Sequence, residues 1–121
     1  MASLIKMNFD KPEEVRPFGE SSGKLELVNL AAGPVGRATF EPGWKWSEHI
    51  KPIVKTDSCQ LHHVGLAQSG SITVRAADGT EAVISAGTVY VIEPGHDAWV
   101  NGNEPFVAYE FDSHAAKTFA K

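Results

Sequence analysis

The sequence has a single cysteine, Cys59, so no disulfide can close within the chain. No apolar run approaches the roughly 18 residues that suggest a membrane span, and the opening "MASLIKMNFDK" carries neither a signal-peptide core nor a cleavage site. The expectation is a cytoplasmic protein with no membrane partner. Basic residues are also scarce, with 11 Lys and Arg against 15 Asp and Glu and a net charge of −4. No basic stripe is available for a phosphate backbone, so nucleic acid is not an expected partner. The absence of a phosphate loop, a dinucleotide fingerprint and a legible nucleophile-and-base pair argues against kinase, nicotinamide-dependent and hydrolase chemistry. No repeat, linker or low-complexity segment divides the 121 residues. A chain of this length buries roughly two-thirds of its unfolded surface, and residues 1–121 are read as one domain.

What is present is a rhythm. Gly, Pro, Asn and Asp recur about every eight to twelve residues between short apolar stretches, which is the pattern of an all-β sandwich or barrel. Strands are expected near Lys24–Leu30, Val35–Phe40, Trp44–Ile50, His63–Gln68, Ser71–Arg75, Glu81–Ser85, Thr88–Ile92, Asp97–Val100 and Phe106–Phe111. "ADGT", between "SITVR" and "EAVIS", predicts a tight primed turn, because Asp-Gly supplies positive φ angles. Residues 1–23 are read as an irregular or strand-like arm. "SHAAKTFAK" suits a short C-terminal helix capped by Ser113.

Two glycine-anchored stretches resemble the motifs of the cupin superfamily, small double-stranded β-helix (jelly-roll) barrels. In "GWKWSEHIK", five residues separate Gly43 from His49, which falls on the first cupin histidine, while Lys51 occupies the second. In "HVGLAQSG", six residues separate His63 from Gly70, placing His63 where the family usually has glutamate. The intervening "PIVKTDSCQLH" exceeds the family's spacing and reads as an inserted loop carrying Cys59. In "GTVYVIEPGHDAWVNG", Gly87 and Gly95 match, Glu93 replaces a proline, Ala98 falls on the third histidine and His96 lies two residues earlier. The resemblance covers about residues 35–111 and implies an all-β cupin barrel. The phrases "PGWKWSEHIKP" and "PGHDAWVNGNEP" also look like those of small stand-alone bacterial cupins.

Side chains alternate faces along a strand, so His62 and His63 point to opposite sides, and the motif register selects His63 for the interior. On one straight strand Cys59 and His63 would stand about 13 Å apart, too far to share an ion. A turn in the inserted loop would bring Cys59 back toward the barrel mouth. His96 shares the parity of Ala98. The expected metal site is therefore His49, His63 and His96, with Cys59 as a fourth donor, and zinc or iron as the divalent ion. Glu48, Lys51 and Trp99 are the expected ligand-pocket residues. Trp44 and Trp46 have a parity opposite to His49, so if His49 points inward they face outward and call for cover by the N-terminal arm or a second subunit, unless a bulge resets the phase and they pack in the core; a homodimer is the favoured expectation. Three functional readings stay open: metal-assisted oxygenase, isomerase or lyase chemistry on a small organic ligand; metal-free binding or sensing of a small molecule; and a structural zinc site.

Overall fold

The computed structural model describes residues 4–17, 22–30, 33–59 and 62–111. Its strands are β1 (Glu14–Pro17), β2 (Gly23–Leu30), β3 (Gly33–Phe40), β4 (His63–Ser69), β5 (Ser71–Arg75), β6 (Glu81–Ser85), β7 (Val89–Ile92), β8 (Asp97–Val100) and β9 (Phe106–Glu110). Two single-turn helices, α1 (Trp46–His49) and α2 (Lys51–Val54), lie between β3 and β4. The strands form a six-stranded sheet in the order β1-β2-β3-β9-β4-β7 and a three-stranded sheet in the order β6-β5-β8. Every pairing between them is antiparallel. The chain is an all-β jelly roll.

Period-two alternation places the core between the two sheets. In β9, Phe106, Ala108 and Glu110 are buried while Val107 and Tyr109 are half-buried. β3 does the same with Ala38 and Phe40, which pack beside Leu25, Leu27, Ile72, Val74 and Ile84. This is the pattern expected when each strand gives one face to the interior. On the far face of β2 and β3, Glu26 accepts hydrogen bonds from Arg37 Nε and Nη2 at 3.0 and 3.2 Å. Phe9, from the N-terminal arm, stacks on Tyr109 with ring centroids 5.7 Å apart, and the Arg37 guanidinium lies 5.0 Å from the Phe9 ring centre.

Three sequence expectations need correction. The segment Trp44–Ile50 is not a strand: Lys45 is extended and bridges to Trp99, and the chain then turns into α1. Asp97 Oδ1 accepts the Ser47 N–H at 3.2 Å, which fastens this turn to the start of β8. Because strand parity no longer applies, Trp44 and Trp46 are both buried, at 3% and 2% exposure. Trp44 packs on Phe40 with centroids 4.4 Å apart, so the argument for a second subunit covering these indoles falls away. The "ADGT" connection is not a primed turn either. Ala76 O accepts the Gly79 N–H at 3.0 Å and only Gly79 has positive φ, at 89°, so a type I turn is followed by one left-handed glycine. The expected C-terminal helix lies outside the described residues.

Candidate metal centre

Cys59 reaches the barrel through a short backbone bridge. Its N–H donates to His96 O at 2.8 Å, and its carbonyl accepts the Gly95 N–H at 2.7 Å. His63 opens β4, and burial alternates along that strand from it. His96 immediately precedes β8, in phase with buried Ala98 and Val100. The three side chains are buried at 3%, 6% and 4% exposure, and each offers a ligand atom within 4.8 Å of the other two. Cys59 Sγ lies 3.6 Å from His63 Nε2, and the His63 and His96 rings meet edge-on with centroids 5.1 Å apart.

The outer nitrogens of both rings are already engaged. His63 Nδ1 lies 2.7 Å from Glu110 Oε1, and His96 Nδ1 lies 2.7 Å from Glu93 O. A ring whose Nδ1–H donates to a carboxylate or carbonyl presents a bare Nε2 toward a metal, as metal-binding histidines do. Tyr90 Oη donates to the other Glu110 oxygen at 3.2 Å. Gly65 of β4 makes this arrangement possible: a Cβ there would stand 2.6 Å from Tyr90 Oη, 2.7 Å from Glu110 Oε2 and 2.5 Å from Tyr109 O.

The donor set fits a tetrahedral transition metal. Bonds of about 2.0 Å to nitrogen and 2.3 Å to sulfur, at a tetrahedral angle, separate N and S by about 3.5 Å. The Cys59–His63 separation of 3.6 Å already matches. Two imidazoles and a thiolate suit zinc or iron over magnesium or calcium. Among the described residues the group has three members, so no fourth protein donor closes it.

Without an ion the same atoms form a charge pair. Burial pushes the Cys59 thiol up, but hydrogen bonds and charge from His63 and His96 overcome this and bring it down to about 6. Burial likewise disfavours the His63 imidazolium, while Cys59 and Glu110 together raise it to about 10. Burial, with the neighbouring Glu110 charge, raises Tyr90 well above its ordinary value. The sequence showed no nucleophile-and-base pair, yet here a thiol, an imidazole and a carboxylate stand in line.

The remaining sequence candidates lie elsewhere. His49 is not in this group; it ends α1, and its Nδ1 accepts the Lys45 N–H at 3.0 Å. Glu48 is exposed on α1. Lys51 opens α2 and stands 4.0 Å from Asp57. Trp99 is held between Lys45 and Arg75, each cation 5.3 Å from its ring centre. None of these last three lines the cavity beside the centre. That cavity measures about 40 Å³ and is bounded by Trp44, Trp46, Tyr90, Glu110, His63, His96 and apolar core side chains. His62, as alternation requires, faces out, with Nε2 3.4 Å from Glu93.

Glu110 and Tyr90 were missed from the sequence. Glu110 had a signal, since it shares the face of Phe106 and Ala108 and a carboxylate in phase with a core stripe calls for a partner. Tyr90 had none, because "VYVI" is apolar on both faces.

No family model and no curated protein matches the sequence. Solved structures do. A conserved protein with a double-stranded β-helix domain from Klebsiella pneumoniae is 21% identical, with 87% of this chain and 80% of that chain covered, at a TM-score of 0.58. An RmlC-like cupin from Shewanella frigidimarina is 14% identical, with 86% of each chain covered, at a TM-score of 0.58. KdgF from Halomonas sp. is 15% identical, with 90% and 94% covered, at a TM-score of 0.58. The chain has the double-stranded β-helix fold of the cupins.

Proposed function

We propose that Cys59, His63 and His96 hold a divalent zinc or iron ion, and that the barrel presents it to a small organic ligand. The observation that carries this reading is the convergence of three buried donors within 4.8 Å. With three protein ligands a tetrahedral ion keeps one position for water or ligand, the arrangement of catalytic rather than closed structural sites. When bound, the ion would supply Lewis acidity to an oxygen at that position. The chain's own part is to fix the two imidazoles through Glu110 and the Glu93 carbonyl, and to keep bulk water away with the indoles of Trp44 and Trp46. Elemental analysis of the purified protein tests this. We expect close to one equivalent of transition metal, lost in both His63→Ala and His96→Ala; full occupancy in either variant would remove that histidine from the site.

A second reading is favoured by one observation, the line from Cys59 through His63 to Glu110, at 3.6 and 2.7 Å. It makes Cys59 a nucleophile with His63 as its base and Glu110 as the group that orients the ring. Alkylation separates the two. Protein isolated without metal, whose Cys59 reacts rapidly with iodoacetamide in a manner that His63→Ala slows, fits the nucleophile; a bound ion that protects Cys59 fits the metal centre.

A further inference from the structure

Trp44 supplies an observation that neither the metal centre nor the core accounts for. Its indole Nε1 is buried and has no hydrogen-bond partner among the described residues. An unsatisfied buried donor forfeits its hydrogen bond to water, and native interiors rarely leave one. Trp44 lines the 40 Å³ cavity that also exposes His63 and His96. Water needs about 10–15 Å³ of such space, so the cavity accepts roughly three small heavy atoms. That is the size of a carboxylate group, not of a whole metabolite.

A second, wider space lies against the cavity. A groove of about 630 Å³, bordered by residues of β6 and β7 and by the "AADGT" turn, shares Val74, Ile84, Tyr90, Ile92 and His96 with it. Tyr90 and Ile92 therefore border both spaces. The groove wall is mainly alanine, valine and isoleucine, with no Lys or Arg. Its acidic groups are occupied: Asp78 Oδ1 accepts the Thr80 N–H at 2.9 Å, and Glu93 pairs with His62 at 3.4 Å. Such a groove disfavours phosphates and polyanionic sugars, and suits an uncharged apolar body.

We propose that the cavity and groove form one two-part site for a monocarboxylate, whose head accepts the Trp44 N–H in the cavity and whose uncharged apolar body lies in the groove. The choice of an anionic head rests on the metal-centre reading, since a divalent ion with two neutral imidazoles and one thiolate keeps one positive charge among its own ligands, while the Glu110 carboxylate, which also borders the cavity, is engaged by His63 and Tyr90. Acceptance of the indole N–H does not depend on it. An aromatic or short aliphatic acid satisfies both parts; acetate satisfies only the first.

The test uses zinc-loaded protein of measured zinc content, with the indole N–H resonances followed during titration with acetate and with benzoate. We expect one indole resonance, absent from Trp44→Phe, to shift saturably with both acids. Benzoate should bind at least about tenfold more tightly than acetate, and Trp44→Phe should weaken it about tenfold, or about 1.4 kcal/mol. Val91→Asp, on the exposed groove wall, should weaken benzoate and leave acetate unchanged. Benzoate binding that leaves the Trp44 resonance unmoved, or no binding at all, overturns the proposal, and equal losses for both acids in Val91→Asp overturn its groove half. If the protein takes up no zinc, the metal reading fails by itself. Benzamide, whose uncharged carbonyl needs no ion, then decides the subsite: a Trp44 shift upholds it and no shift overturns it.

Discussion

Replacing Glu110 by glutamine changes one charge at the centre and almost no volume. Glu110 Oε1 accepts from His63 Nδ1 at 2.7 Å, and Oε2 accepts from Tyr90 at 3.2 Å. The substituted amide can still accept from His63 through its oxygen, and its nitrogen can donate to Tyr90, so the shape of the network survives. What is lost is charge assistance. Hydrogen bonds to charged groups contribute about 1.5–3 kcal/mol against about 0.5–1.5 for neutral pairs, a difference of about 1–1.5 kcal/mol. That corresponds to roughly tenfold in binding, the lower end of the range for partners that orient metal-binding histidines. Metal affinity of Glu110→Gln, measured by competition with a chromophoric chelator, should therefore fall about tenfold with the fold intact by circular dichroism. In metal-free protein the His63 imidazolium, now near 10, should titrate at lower pH. Unchanged affinity together with an unchanged His63 titration would refute the reasoning, because it would mean that the carboxylate neither fixes nor charges the ring.

Two further outcomes follow from the same geometry. In metal-free protein the Cys59 pKa is lowered from 9.0 to about 6, so the stability its thiolate adds is full above pH 9, declines as pH falls below that and is lost as pH passes through about 6. His63 is raised from 6.5 to about 10, so its contribution is full below pH 6.5 and is lost as pH rises through about 10; thiolate and imidazolium coexist between pH 6 and 10, and ultraviolet thiolate absorbance with a midpoint near 9 would contradict this. Gly65→Ala should lower stability by about 1–3 kcal/mol through overpacking, or roughly 5–15 °C in melting temperature, because the new methyl meets the Tyr109 carbonyl as well as Tyr90 and Glu110. A melting temperature within a degree of the parent would show that β4 can move aside.

The fold was legible wherever alternation was clean. β5, β6 and β8 begin and end where the apolar rhythm places them, and the opposition of His62 and His63 follows from parity, with the motif register turning His63 inward. Trp44–Ile50 misled for a specific reason. "WKWSEHI" reads as alternation, but Asp97, about fifty residues away, accepts the Ser47 N–H and turns the segment helical. No local pattern carries that contact, so His49, chosen by strand register, was placed with a group it does not join. The site divided along the same line. His63 and His96 came from motif spacing, and Cys59 came from noticing that a loop must fold back. Strand parity with an inward His49 turns Trp44 outward, whereas its buried indole bounds the cavity. That reversal needed the helical turn, which only tertiary structure supplies.

The bridge between Cys59 and the His96 turn also makes the centre a reporter of its own occupancy. Two short backbone hydrogen bonds, Cys59 N to His96 O and Gly95 N to Cys59 O, hold the loop against the barrel. A coordinated ion would tie the same two segments through their side chains, so opening the loop would require breaking coordination as well. Amide exchange at Cys59 and Gly95 should slow when metal is added, while exchange in β1 and β2, at the far edge of the six-stranded sheet, keeps its rate. The protein would then carry, in two peptide protons, a readable record of whether its centre is filled.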